Sequence, residues 1–143
     1  MRSKLFAFAI ALIFILASTA AGDEPVSIPK SDLDTHPFTS GDLKITITGF
    51  RTGSLLTRAA IRVRVENTSG NAATFNPQRL SFVISSNRQI NVRPRRQGHQ
   101  LDLLSPIEIA PGAYIKETYD LDGKVPLPAR LFYEGRELAS ITD

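Results

Sequence analysis

The sequence predicts an all-β protein built as an antiparallel sandwich of about seven or eight strands. Three observations predict it. Apolar and polar residues alternate in several short segments, turn formers separate those segments at fairly regular spacing, and no segment after the apolar N-terminus has the periodicity of an amphipathic helix. Alternation places apolar side chains on one face of each strand, and two such faces bury each other when sheets stack.

The strongest strand pattern lies at residues 60–67, where Ile61, Val63 and Val65 alternate with charged side chains. Five turn formers at residues 67–71 follow and predict a chain reversal or crossover. The first three of them, Asn-Thr-Ser, also match the acceptor pattern for N-glycosylation, for which a simple turn is the alternative. Further patterns predict strands at residues 43–48, 80–85, 89–92, 114–121, 130–133 and 137–141, and weaker apolar runs lie at residues 101–103 and 107–109.

Proline and glycine mark the boundaries of the later strands. Pro111 and Gly112 predict a turn that starts the strand at residues 114–121. Residues 125–128, Val-Pro-Leu-Pro, are predicted to lie outside a central ladder, because proline has no N–H to donate. Residues 134–136, Glu-Gly-Arg, predict a tight hairpin between the last two strands.

The N-terminus has the order of a secretory signal peptide. Arg2 and Lys4 precede an unbroken apolar run at residues 5–17, and small residues follow. We therefore predict a signal peptide over residues 1–22. The alternative is an uncleaved membrane anchor, because the apolar stretch approaches the length of the shortest spanning helices.

Residues 23–42 contain three prolines and scattered apolar residues, which predicts a flexible linker or an edge segment. The sandwich itself is predicted over residues 43–143. Export implies a periplasmic or secreted protein with no transmembrane span once the signal is cleaved. It also argues against nucleic acid as a partner, since nucleic acid lies inside the cell. The oligomeric state is not predicted.

Charge is segregated along the chain, although the formal net charge is only +3. Residues 44–96 contain ten basic residues and a single acid, Glu66. Acids outnumber bases in residues 23–42 and again from residue 97 onward. Such blocks either form complementary surfaces within one fold or leave a basic face for anionic partners.

Two stretches resemble the immunoglobulin-like domains of small secreted bacterial proteins. They are IRVRVENTSGNAATFNPQRLSFVI, in which a strand ends in Val-x-Asn before a Ser/Gly loop and a Phe-rich strand, and IEIAPGAYIKETYDL, in which Ile-x-Pro-Gly starts a later strand. The resemblance spans about residues 43–141. It implies an immunoglobulin-like sandwich and brings no catalytic residues with it. The Cys, Trp and Cys of antibody domains are absent.

The residues offer little for metal, cofactor or catalytic chemistry. There is no cysteine, and the two histidines, His36 and His99, lie far apart in a predicted linker and a predicted loop, so we predict no metal site and no cofactor. A Gly-x-Ser-x-Gly elbow does not occur. Asp102 and Glu108 could form a carboxylate pair for sugar hydrolysis, a pattern that any acid-rich loop offers. We therefore predict that the chain is not an enzyme.

Arg88, Arg93, Arg95 and Arg96 form the one cluster that suggests a site. Guanidinium groups suit bidentate capture of carboxylate or phosphate. The alternative is that these arginines pair with acids of the same fold or are solvated. The first hypothesis is a non-enzymatic exported binding module that contacts a protein partner through loops or a strand edge. The second is a protein that binds glycan or an anionic cell-envelope component through the arginines, and the third is a hydrolase.

Overall fold

The computed structural model describes residues 25–97, 100–102 and 104–143, and for residues 95–97 and 100–102 it describes the backbone alone. The predicted signal peptide, residues 1–22, lies outside the described residues. Two short 3-10 helices, Lys30–Thr35 and Pro77–Arg79, accompany the strands. The strands are β1 Val26–Pro29, β2 Phe38–Ser40, β3 Leu43–Arg51, β4 Ala60–Asn67, β5 Ala73–Phe75, β6 Leu80–Ile84, β7 Gln89–Asn91, β8 Arg95–Gln97, β9 Gln100–Asp102, β10 Ile107–Ile109, β11 Tyr114–Asp120, β12 Ala129–Tyr133 and β13 Arg136–Thr142.

Two sheets stack to form a β-sandwich, which confirms the predicted all-β class. One sheet has the strand order β1-β13-β12-β6-β7 and the other the order β11-β4-β3-β2. Two small ladders, β10-β5 and β8-β9, complete the described strands. Every described pair is antiparallel apart from β1 and β13, which run parallel.

The core is formed by the inner faces of the two sheets. On β4, which lies between β3 and β11, Ile61, Val63 and Val65 are completely buried. Across the interface, the rings of Phe50 on β3 and Phe82 on β6 lie with centroids 5.2 Å apart. Each fully buried side chain of this size contributes roughly 1.5–3 kcal/mol through the hydrophobic effect. Alternation along β4 therefore explains both the strand and its place in the core.

Residues 26–40, predicted within a linker or edge segment, form one of the two edge strands of each sheet. β1 pairs with β13 in one sheet, and β2 pairs with β3 in the other. Ile28, Leu33 and Phe38 are buried in the common core, the second of them in the first 3-10 helix. The core thus includes residues before the predicted start of the sandwich at Leu43. The sequence did not indicate these strands, because they are short, lie among prolines and lack an alternating pattern.

The described residues form more strands than the seven or eight predicted. Several of these strands have only three residues, which is too short for an alternating pattern to be recognised. β5, which pairs with β10, was missed for this reason. The long strands agree closely with the pattern, and β4 has the predicted bounds. The predicted hairpin joins β12 to β13 through Glu134 and Gly135, whose φ angles are 50° and 77°. Positive φ at both positions is the geometry of a type I′ turn, which suits the right-handed twist of paired strands.

Asn67 closes the inner face of β4 with a fully buried polar side chain. Its Nδ2 donates to the carbonyl oxygens of Asn71, at 2.6 Å, and Ile109, at 3.0 Å. Its Oδ1 accepts from the backbone N–H and the hydroxyl of Ser69. The amide nitrogen to which a glycan would attach is thus buried and donates two hydrogen bonds. In the folded protein the Asn-Thr-Ser pattern therefore stabilises the turn.

Replacing Asn67 with Asp should destabilise the fold by about 1–3 kcal/mol or more, because an acceptor would then face two carbonyl oxygens. The loss should grow as the pH rises, since burial disfavours the ionised carboxylate. Urea unfolding at several pH values measures both effects. Asn71→Asp, on the exposed part of the same loop, is the matched control. Equal stability of the two variants would contradict the role given to Asn67.

Tyr133 joins β12 to the segment after β5. Its ring stacks on Phe75 with centroids 5.4 Å apart, and its hydroxyl accepts a hydrogen bond from the backbone N–H of Asn76 at 3.0 Å. Burial raises the pKa of Tyr133 above its usual 10.0, because the phenolate would lose its hydration, although the Asn76 bond partly opposes this. The folded state therefore holds this proton more tightly than the unfolded state does.

Tyr133→Phe should lower the free energy of unfolding by about 1–3 kcal/mol at neutral pH, because the N–H of Asn76 loses its partner. In the wild type, stability should also fall as the pH rises above the usual tyrosine pKa of 10.0, and the variant should show a shallower fall. Urea titrations at neutral and alkaline pH measure both. Tyr114→Phe, the same deletion on an exposed ring, is the control. Identical alkaline slopes in wild type and Tyr133→Phe would refute this explanation.

Candidate functional site

The loop between β3 and β4, residues 52–59, is held in shape by its own hydrogen bonds. The N–H of Ser54 donates to the carbonyl of Thr57 at 2.7 Å. The Ser54 hydroxyl accepts from the N–H groups of Leu56 and Thr57 at 3.3 and 3.1 Å. Gly53 has a φ of 91°, and a Cβ there would lie 2.9 Å from the backbone nitrogen of Ala59. The loop therefore turns tightly and requires glycine at its start.

The tip of this turn presents two leucines to solvent. Leu55 is 93% exposed and Leu56 is 99% exposed. The other large apolar side chains exposed in the described part of the chain, Val26 and Tyr114, are only about half exposed. Since single exposed apolar residues are common, the informative feature is an adjacent pair on a well-defined turn.

Hydrogen bonds join the base of this loop to the segment after β11. The Arg51 Nε donates to the carbonyl of Arg58 at 2.7 Å. The N–H of Val125 donates to the carbonyl of Thr52, and the N–H of Leu121 donates to the carbonyl of Ala59. The Val125 and Leu121 bonds hold residues 121–125 beside the loop, at the end of the sandwich where β4 begins.

A basic groove lies between these two segments. It is lined by residues 54–59, Arg93 and residues 121–124, and its cavity volume is about 340 Å³. Its cationic lining residues are Arg58, Arg93 and Lys124, and its single acidic one is Asp122. We call the groove lined by residues 54–59, Arg93 and residues 121–124 the basic groove. Within the described side chains, no acidic group forms an ion pair with any of the three cations.

Of the four predicted anion-binding arginines, Arg93 lines the basic groove and Arg88 lies beside Gly123, one of its lining residues. Arg93 lines it, held by a hydrogen bond from its own N–H to the carbonyl of Asp120 at 2.8 Å. A guanidinium nitrogen of Arg88 lies 3.8 Å from where a Cβ on Gly123 would be. Arg95 and Arg96 belong to β8, and their side chains lie outside the described part of the chain.

The sequence interpretation missed Arg58, Lys124 and the two leucines. Arg58 and Lys124 are separated by more than sixty residues, so no local pattern links them. The leucines did carry a signal: Ser54-Leu55-Leu56-Thr57 places two apolar residues between turn formers, outside any alternating segment.

Two arginines elsewhere on the sandwich, Arg64 and Arg130, have acidic and aromatic partners. On β4, Arg64 forms an ion pair with Glu66 at 3.4 Å and lies 4.2 Å from the centroid of the Tyr114 ring. On β12, Arg130 lies 3.9 Å from the Glu137 carboxylate and 5.5 Å from the ring centroid of its neighbour Phe132. These contacts distinguish the two arginines from the cations of the basic groove.

Other predicted features lie apart from the basic groove or outside the described residues. His36 is exposed at the end of the first 3-10 helix, and His99 is not described. Glu108 is exposed on β10, whereas the Asp102 side chain is not described, so the pairing of these two carboxylates stays a hypothesis. No cluster of three or more metal-binding side chains occurs in the parts of the chain that the structure describes. Neither helix of residues 25–97, 100–102 and 104–143 has the length and apolar composition that crossing a bilayer requires.

Comparison with known proteins supports the fold and no more. No family model matches the chain, and no curated protein matches it. Among solved structures, the chain is similar to the YjhA protein from Bacillus subtilis, with a TM-score of 0.50 and 15% sequence identity. The alignment covers 76% of this chain and 79% of that one. At this identity the likeness is one of fold, that of a small β-domain.

Proposed function

We propose that the chain is an exported, non-enzymatic binding module that holds an anionic macromolecule in the basic groove. The observation that carries the proposal is the convergence of Arg58, Arg93 and Lys124, from three separate parts of the chain, on one concave surface. Export rests on the signal peptide predicted at residues 1–22, and the proposed location is the periplasm or the cell exterior.

The chemistry of the basic groove supports capture of an anion. Guanidinium groups bind carboxylate or phosphate through paired, charge-assisted hydrogen bonds, and a lysine adds a compact positive charge. Arg88 adds a further guanidinium beside Gly123. An acidic protein surface, an acidic glycan and an anionic lipid all carry suitable groups.

The same lining residues favour binding over catalysis. General acid–base chemistry needs a histidine or carboxylate held against the reacting group. In the described lining, the titratable residues are cations and Asp122 alone. The hydroxyl of Ser54 is engaged with two backbone N–H groups of its own turn. A hydrolase is therefore less well supported than a binding module.

We also propose that the sandwich is immunoglobulin-like. Two face-to-face sheets support this, as do the Val-x-Asn end of β4 and the Ile-x-Pro-Gly turn before β11. In domains of that type, loops at one end of a rigid sandwich commonly carry the binding surface. The basic groove occupies such a position.

Substituting Arg58, Arg93 and Lys124 together with Gln should weaken binding to heparin, a soluble polyanion, by about tenfold or more. Loss of even one charge-assisted hydrogen bond accounts for that factor. Isothermal titration at low and moderate salt measures it. Arg79, Arg130 and Arg136, exposed residues away from the basic groove, are changed to Gln in the control, which loses the same charge. Equal weakening in both variants would refute a localised site.

A further inference from the structure

We infer that the anionic partner is a lipid bilayer surface, into which Leu55 and Leu56 insert while the cations of the basic groove contact headgroup phosphates. This inference rests on the proposed function and names its ligand. Three features of the loop end carry it: the exposure of the leucines, the internal hydrogen bonding of their turn, and the cations beside them.

The leucine tip is costly to keep in water. Leu55 and Leu56 are exposed almost completely, and both would gain free energy on transfer to an apolar phase. The turn does not let them fold back, since Gly53 and the bonds of Ser54 determine its path. The protein therefore holds an apolar tip outward in a defined conformation.

Three backbone N–H groups of the tip already have hydrogen-bond acceptors within the turn. A backbone polar group that enters the hydrocarbon region without a hydrogen-bond partner is strongly unfavourable. The N–H groups of Ser54, Leu56 and Thr57 all donate within the turn. Insertion of the leucines would therefore leave these three groups bonded, which lowers the desolvation penalty.

The cations lie where headgroups would be. Arg58 follows the leucines by two residues, and Arg93 and Lys124 line the same groove. A basic residue close to an anionic leaflet strengthens binding about fivefold. Three such residues beside an inserted tip combine electrostatic attraction with apolar burial, the combination by which peripheral proteins bind membranes.

A bilayer fits both features better than the other anionic ligands do. An acidic glycan supplies negative groups for Arg58, Arg93 and Lys124, yet it offers no apolar phase to the leucines. A bilayer of anionic lipid supplies phosphates and acyl chains in adjacent layers. The pairing of charge with two projecting leucines therefore favours lipid.

Tryptophan fluorescence tests insertion directly, because the chain contains no tryptophan. Leu56→Trp is introduced into the chain from residue 23 onward, since the described strands and core all follow that point and the apolar N-terminus would itself enter lipid. With vesicles of equal parts phosphatidylglycerol and phosphatidylcholine, we expect a blue shift and quenching by brominated acyl chains. Pure phosphatidylcholine vesicles should produce neither. Tyr114→Trp, on β11 beside the opposite end of β4, is the control that should stay unshifted.

Vesicle sedimentation separates the roles of leucine and charge. Changing Leu55 and Leu56 to Ser should weaken binding to the anionic vesicles by roughly tenfold or more. Heparin binding should weaken by a much smaller factor, because all three cations of the groove stay in place. Substituting the three cations with Gln should weaken binding to heparin and to anionic vesicles. For vesicles the loss should be roughly a hundredfold, at about fivefold for each charge. Both leucines are exposed, so the midpoint of urea unfolding should stay the same in the Ser variant.

Each other outcome contradicts one of the two proposals or both. Vesicle binding that survives the Leu→Ser changes, or an unshifted tryptophan at position 56 in sedimented protein, overturns insertion and leaves the basic groove intact. Binding to heparin without binding to anionic vesicles also overturns the lipid inference and indicates a polysaccharide. Absence of binding to either overturns the proposed function together with the inference.

Discussion

Burial of the inner face of β4 against the opposite sheet is the constraint on which the structure depends. Ile61, Val63 and Val65 exclude water completely, and β4 pairs along its length with β3 and β11. This strand lies in the middle of its sheet. The loop before it, residues 52–59, lies at one end of the sandwich, and the turn after it, residues 67–71, lies at the other. The loops at those ends differ sharply in character.

The C-terminal end of β4 is closed by hydrogen bonds, and the N-terminal end carries the basic groove. Asn67 uses its side-chain nitrogen and oxygen to hold its own turn and to bond the backbone of β10. At the other end, the turn around Ser54 bonds three of its own backbone N–H groups and projects Leu55 and Leu56 into solvent. The hydrogen bonds of this turn use backbone groups and the Ser54 hydroxyl, so both leucine side chains stay exposed. No described acid forms an ion pair with the cations of the basic groove.

Much of the fold could be predicted because it follows from local rules. Alternation sets which face of a strand is buried, and Glu134-Gly135 sets the last hairpin through its positive φ angles. The segment at residues 26–40 could not be predicted in this way. Its strands are short and rich in proline, and they are ordered by pairing with β13 and β3, far away in sequence.

The candidate site divides along the same line. The sequence by itself determined the all-β class, the central strand and the excess of arginine in residues 44–96, because periodicity and composition are local properties. Only the tertiary structure decided that Arg58, Arg93 and Lys124 share one groove and that Leu55 and Leu56 project beside it. These residues come together because the pairing of β3, β4 and β11 brings their loops to one end of the sandwich. Pairing between distant strands cannot be recognised from the residues next to each cation in the sequence.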